Sequence, residues 1–495
     1  MSVPEQVRRR LAPPMPDSEL MSWIAVGAIG LIAAVLRLVT LAHPDQIIFD
    51  EVYYANEGHS MLVHGSEWNL DENTPKFVVH PPLGKWLIAI GIQIAGFSPF
   101  GWRLSAVIAG VISVIIVARV GRRLFRSTVL GCTAGLLLAL DGMHFVSSRT
   151  ALLDIFLTVF ILASFACLLL DRDAARRRWL TALENGLDPA TGRLPSLPPW
   201  WRIAAAVLAG GAMAVKWSAV WYIATFLVLL VVWEYATMRA AGVPRQHRWG
   251  VVAVSRTAAW VLGFGAIAVT AYLASWFGWF LDDRASHRHW LRDNGHDEWP
   301  VVGALYNLFR YHADAYGFHA TLTSEHDYQS WPWQWLLLGR PVAYYWSDKG
   351  PCPSDQCAAE VLLLGTPILW WSFIPALIAV LWYAISRRDW RAWAILTGAA
   401  MGIAPWFAYQ FEARTMFYFY ALPSAPFLVL AVAMALGIMI GNGRDPTRHT
   451  VGVMIATGYV IAVALCFAYF YPIYVGEPID YEAWRARMWL GRLWI

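Results

Sequence analysis

Asp50 and Glu51 are adjacent carboxylates in Ile48-Phe49-Asp50-Glu51-Val52-Tyr53-Tyr54, just past an apolar run at about 22–42. Carboxylates are costly inside lipid and useful at its surface. The plainer alternative is a solvated loop start, or an N-cap for a helix through Tyr53 and Tyr54. The neighbours are aromatic and β-branched, not the Gly, Ser or Asn of an ordinary loop. Adjacent side chains diverge on a helix or a strand. The pair should therefore divide its work: one takes a proton, the other orients a substrate or holds a basic partner.

Other groups carry possible chemistry. In His80-Pro81-Pro82-Leu83-Gly84-Lys85 the prolines forbid a helix before Leu83. That turn presents His80 and Lys85 at the start of a short apolar segment, 83–97, read as interfacial or re-entrant. Arg149 and Asp154 follow, at a five-residue spacing that is not the favourable i,i+4 pairing. Lys216 and Arg414 sit at other turns. Each cation alone reads as an interfacial anchor. Several at one membrane level suit a phosphate, with Arg offering bidentate donors and Lys a point charge. Trp331, Trp333 and Tyr345 lie in proline-braced aromatic segments, which form either a substrate wall or a lipid-interface belt. Cys352 and Cys357 bracket Pro353-Ser354-Asp355-Gln356, as a small disulfide loop or as two free thiols. The sequence has no Walker A motif, Gly-rich dinucleotide turn, HExxH or CxxC pair. It requires no cofactor, and a metal at Asp50, Glu51 and nearby His has no motif behind it.

The elements that must hold these residues are membrane helices. Of the 495 residues, 58% are hydrophobic and 15% charged; soluble chains are roughly 25% charged. The mean hydropathy is +0.46, and 29 Trp suit interfacial belts. The net charge of +4 comes with Arg in short loops, which fits topology in a lipid bilayer and not a nucleic-acid surface. A crossing helix needs about 20 apolar residues. Eleven stretches qualify, at 22–42, 100–120, 128–146, 150–171, 201–215, 217–238, 256–280, 360–385, 392–409, 417–440 and 451–472. The expected fold is an all-α polytopic membrane protein with about eleven transmembrane helices.

With a cytoplasmic N-terminus, the positive-inside rule is met by every short basic cluster. These are Arg8-Arg9-Arg10, Arg122-Arg123 with Arg126, Arg176-Arg177-Arg178, Arg245 with Arg248, Arg387-Arg388, and Arg444 with Arg448. The layout is then a cytoplasmic tail at 1–21 and a transmembrane core at 22–280, with an outer loop at 43–99. A large outer loop follows at 281–359, then helices at 360–472 and an outer tail at 473–495. All four Lys and eleven of thirteen His fall outside. The extracytoplasmic face of a cell membrane is the expected working face.

On that face, a sugar carried by a polyprenyl phosphate already has a good leaving group. Hydrolysis would need two carboxylates facing each other across the bond. Transfer needs one base and cations on the departing phosphate. Asp50 with Arg149, Lys216 and Arg414 fits transfer, with inversion at the anomeric carbon.

An Asp-Glu pair followed by HPPLGK resembles the protein O-mannosyltransferases of the GT-C glycosyltransferase class. So do Arg149-Thr150-Ala151-Leu152-Leu153-Asp154, Lys216-Trp217-Ser218-Ala219, the 330–335 segment and Tyr418-Phe419-Tyr420-Ala421-Leu422-Pro423, in the family's order. The resemblance implies the GT-C fold and transfer of mannose from polyprenyl-phosphate mannose to Ser or Thr of exported proteins. It favours Asp50 as the base and suggests a link to the secretion (Sec) translocon. Two departures are Val79, where eukaryotic members often carry Asp, and a loop at 281–359 too short for a MIR domain. The chain therefore resembles a bacterial member, and its composition is compatible with an actinobacterial source. Rival readings are a GT-C enzyme acting on an envelope lipid or glycan, and a transporter. Transporters place charge at the bilayer midplane, whereas these charges gather at one surface.

Overall fold

The computed structural model describes residues 3–495 except 196–198, 355, 413, 442 and 444. Arg444 of the last basic cluster and Asp355 of the cysteine loop lie outside the described residues.

Short polar caps start the helices that the apolar runs sustain. After α1 (Glu5–Leu11), Ser18 Oγ accepts from Met21 N at 3.5 Å to open α2 (Glu19–Leu38). The outer loop then forms α3 (Glu51–His64) and a two-residue hairpin pairing β1 (Trp68–Asn69) with β2 (Thr74–Pro75). The proline turn ends at α4 (Leu83–Ala95). Ser98 Oγ and Pro99 start α5 (Pro99–Phe125), and Ser127 Oγ starts α6 (Thr128–Ala139). Then come α7 (Gly142–Ser147) and α8 (Asp154–Glu184). Where α4 crosses α5, a Cβ on Gly91 would lie 2.5 Å from Gly101 O, so only glycine permits the approach.

Among the described residues, nine helices are long and apolar enough to cross a membrane, not eleven. The expected span 128–146 is broken at Leu140 and Asp141. Asp141 Oδ2 accepts from His144 N at 3.2 Å to start α7, and its Oδ1 accepts from Trp370 Nε1 at 2.7 Å. The expected span 201–215 is the 14-residue helix Trp200–Met213. The span expected from residue 360 begins only at Pro367, because the apolar run before it is a strand. An uninterrupted apolar run does not distinguish a buried strand from a helix.

That strand is β4 (Cys357–Leu363), paired antiparallel with β3 (Val342–Ser347) and with β5 (Ile479–Asp480) of the C-terminal tail. The large loop also carries the helix Val302–Ala320. Segments expected outside meet at one end of the bundle. Tyr311 OH donates to Val78 O at 2.8 Å, Ser66 Oγ to Asp282 Oδ2 at 2.6 Å, and Trp484 Nε1 to Glu360 Oε2 at 2.6 Å. The arginine clusters gather at the other end, where Arg8 pairs with Glu184 and Arg123 with Asp173, both at 2.7 Å.

Candidate active site

Asp50 holds the position just before α3, but its side chain makes no capping bond. Phe49 before it has φ +45°, a costly conformation for a bulky residue. Its ring stacks on Tyr344 with centroids 4.5 Å apart. Among the described residues nothing hydrogen-bonds the Asp50 carboxylate. Burial pushes that carboxyl up to about 6, with Asp154 adding to the shift and Lys216 opposing it.

Glu51 is fully buried and takes the second role read for it, that of holding a basic partner. Oε1 accepts from Arg103 Nε at 2.8 Å and from Ala151 N at 3.0 Å. Oε2 accepts from Arg103 Nη2 at 2.9 Å and from Ile48 N at 3.1 Å. Arg103 also donates to the carbonyls of Leu41, Pro44 and Gln46. Glu51 therefore ties α5 and the turn before α8 to the Asp50 loop, and has no lone pair left for a substrate. With that carboxylate taken up, a metal at Asp50 and Glu51 together has no ligand pair.

Asp154 is the first residue of α8, and its Oδ2 accepts from Lys216 Nζ at 2.7 Å. Lys216 Nζ also lies 5.6 Å from the ring centroids of Phe419 and Tyr420. Leu83 N donates to Ala214 O at 3.1 Å, which joins the proline turn to the Lys216 turn. His80 faces Tyr54 at 6.2 Å and His319 at 5.1 Å between ring centroids. Burial, and then Lys216, His319, Lys85 and Arg414, hold the His80 imidazole well below its usual range. His319 Nε2 meets Val79 O at 2.9 Å, and its Nδ1 is buried without a partner. Arg414 Nε donates to His319 O at 3.2 Å, while its Nη1 is buried and unpartnered. Among the described residues, the arrangement is the Asp50 carboxylate without a hydrogen bond, the Lys216–Asp154 pair, and Arg414 with an unused Nη1 donor.

Two expected phosphate ligands are engaged elsewhere. Lys85 is fully buried, pairs with Glu67 and lies 3.7 Å from Glu57 Oε2. It also donates to His80 O at 2.9 Å, and so braces the proline turn from beneath. Arg149 does not pair with Asp154. Its guanidinium donates to the carbonyls of Arg37 and Val39, each at 2.6 Å, and of Thr40 at 2.9 Å, closing the C-terminal end of α2. Of the aromatic wall, Trp331 and Tyr345 are half-buried and Trp333 is exposed. The register of β3 shifts between Ala343 and Tyr345. Such a bulge re-aims side chains, and Tyr344 is the one turned inward. Its hydroxyl is buried without a partner, and Asp154 and Asp50 act on it electrostatically. Cys352 and Cys357 form a disulfide with Cα atoms 5.9 Å apart.

The chain is 40% identical over 490 residues to the polyprenol-phosphate-mannose–protein mannosyltransferase of Mycolicibacterium smegmatis (strain MKD8), covering 96% of this chain and 93% of the relative. It belongs to the polyprenol-phosphate-mannose–protein mannosyltransferase family. The homologue of Mycobacterium tuberculosis (strain H37Rv) is 38% identical, over 96% of this chain and 92% of its own. Residues 79–184 match the family model for dolichyl-phosphate-mannose-protein mannosyltransferase. Residues 304–494 match that for the C-terminal four TMM region of protein-O-mannosyltransferase. The fold is that of the donor-bound Saccharomyces cerevisiae Pmt1-Pmt2 complex, with a TM-score of 0.74 at 16% identity, covering 99% of this chain and 94% of that one. This is the GT-C fold.

The two family-model matches take in His80, Lys85, Arg149, Asp154, Trp331, Trp333, Tyr345 and Arg414, and leave Asp50, Glu51 and Lys216 outside. Sequence reasoning missed Arg103, His319 and Tyr344. Arg103 carried a signal, since an ionisable residue inside an apolar span is a functional candidate by default. His319 and Tyr344 carried none, because their place depends on how the large loop folds back over the proline turn.

Proposed function

We propose that Asp50 is the general base of mannosyl transfer from a polyprenyl-phosphate mannose to a Ser or Thr hydroxyl of a protein. The observation that supports this is the contrast between neighbours: Glu51 has every lone pair engaged, while Asp50 has none among the described residues. The acceptor oxygen attacks the anomeric carbon as its proton passes to Asp50. The bond from that carbon to the phosphate oxygen breaks, and the phosphate leaves with the electron pair. Lys216 and Arg414 Nη1 receive the charge that builds on the phosphate. Attack opposite the leaving group inverts the anomeric centre. With a carboxyl near 6, about 90% of Asp50 is ionised at pH 7, and its affinity for a proton stays close to working pH. His80, held neutral, can hydrogen-bond the sugar or the acceptor without repelling the cations.

The charge pattern supports a multi-pass plasma-membrane protein with this site on the extracytoplasmic side. Acceptors are then exported proteins, met while unfolded beside the Sec translocon. The test is transfer of radiolabelled mannose from polyprenyl-phosphate mannose to a Thr/Ser-rich peptide in isolated membranes. Wild type should label the peptide and Asp50→Asn should not. Label appearing in lipid or glycan, with none on peptide, would overturn the protein acceptor.

A further inference from the structure

A cavity of about 530 Å3 lies at the end of the bundle opposite Asp50. α5 sets the separation: Arg103, beside Glu51, and Arg122, in the cavity wall, are 19 residues apart on that helix. At 1.5 Å per residue that is roughly 30 Å, a full membrane thickness. The mannosyl-transfer site therefore cannot include this cavity.

Nine arginines and three carboxylates line it, an excess of six positive charges. The carboxylates are already engaged. Asp173 sits between Arg123 and Arg172, Asp389 binds Arg391, and Glu19 binds Arg119 and Arg122. The side chain of Arg172 is 6% exposed. Its guanidinium lies 3.4 Å over the Trp390 ring, and its Nε is buried without a partner. Arg176 Nε is likewise buried and unpartnered. Buried guanidinium donors normally have acceptors. A cavity walled by nine guanidinium groups whose carboxylates are already engaged is the complement of an oxyanion with several oxygens.

We infer that this cavity binds the phosphate-bearing headgroup of a multiply charged anionic phospholipid from the leaflet at that end. The lipid source follows from the surroundings. Glu19 lines the cavity, and the next two residues of α2, Leu20 and Met21, are 70% and 62% exposed, a surface that acyl chains would cover. Basic pockets between membrane helices are suited to such headgroups.

The test is native mass spectrometry on the full-length protein in detergent, titrated separately with diphosphatidylglycerol, phosphatidylcholine and sodium pyrophosphate. Arg10, Arg126 and Arg177 line the cavity, are exposed, and make no ion pair or guanidinium hydrogen bond among the described residues, so a triple R10Q/R126Q/R177Q variant spares the fold. Wild type should bind diphosphatidylglycerol at least about tenfold more tightly than phosphatidylcholine, and the variant should lose most of that preference. Equal binding of the two lipids, or an unchanged preference in the variant, overturns the site. Pyrophosphate binding as tightly as diphosphatidylglycerol overturns the lipid source in favour of a soluble phosphate. The measurement needs no mannose donor, so its failure is distinct from failure of the transfer reaction.

Discussion

Arg103 grips Glu51 with two parallel hydrogen bonds, Nε to Oε1 at 2.8 Å and Nη2 to Oε2 at 2.9 Å. One residue earlier, Asp50 has no such partner. The two carboxylates that look alike in the sequence are therefore separable by mutation.

Asp50→Asn should lower transfer by about 10²–10⁴-fold, the usual contribution of a general base. The substitution keeps shape and removes a buried charge, so membrane expression should be preserved and detergent melting should not fall. A variant that keeps most of its turnover would exclude Asp50 as the base.

Glu51→Gln and Arg103→Met should act on stability first. Each leaves a buried charge without its partner, at a cost of about 3–5 kcal/mol. Both should melt well below wild type in detergent. The double variant should recover part of the loss, because it leaves no orphan charge. Unchanged melting of either single variant would mean that the pair does not hold the loop.

Transfer should fall as pH drops through about 6, where Asp50 takes up its proton. Stability runs the other way. The folded carboxyl titrates above its unfolded value, so the native state binds the proton more tightly. That contribution is full below the unfolded value, near 4, and is lost as pH rises to about 6. Asp50→Asn should therefore be more stable than wild type at pH 8, by on the order of 3 kcal/mol, and about equally stable at pH 4. A rate profile flat down to pH 5 would contradict the assignment.

Arg414→Gln should raise KM for the lipid donor and lower kcat, because a donor on the departing phosphate matters most in the transition state. Arg414→Lys should recover only part of the loss, since a point charge cannot replace a fork. Lys85→Met should show the contrasting pattern, with poor folding and near-normal KM in the protein that survives, because it leaves the buried Glu67 without its lysine, while Glu57 keeps Lys76.

Tyr344→Phe should alter turnover more than Tyr345→Phe. Only Tyr344 is stacked on Phe49 and turned toward Asp50. Steady-state kinetics of the two variants would separate them, and a larger effect at Tyr345 would reverse the reading of the bulge.

Composition and charge order made the membrane bundle legible, because lipid demands long apolar helices and basic loops sort to one side. The break at Asp141 was not legible, since its carboxylate is satisfied by Trp370, more than two hundred residues away. Asp50, Asp154, Lys216 and Arg414 stood out in the sequence as charges expected at one level, and the structure brings them together around Tyr420. What each charge touches was not readable. Lys85 and Arg149 looked equally fit for a phosphate, and their true partners are Glu67 and the end carbonyls of α2. A cation's type and depth can be read from a chain, but whether a carboxylate or carbonyl already claims it depends on packing. Tyr344 follows Val342 onto the buried face of β3, which could not be read without knowing that this segment is a strand.

The bond from Leu83 N to Ala214 O makes the proline turn and the Lys216 turn one piece. Under the proposed reaction, a phosphate at Lys216 would therefore lie against a wall that carries His80 with it. Across from this joined wall lies the strip that leads out of the large loop. There the 321–330 strip is fastened to the bundle by the Thr415 N–H on Leu322 O and the Ser330 N–H on Met416 O. Thr415 Oγ1 also donates to Ser324 O, and Arg340 to Asp327 O, so the strip is a loop pinned at several points, and if the acceptor of the proposed reaction passes beneath it, crosslinking 321–330 to 415–416 should block long acceptors before it blocks short peptides.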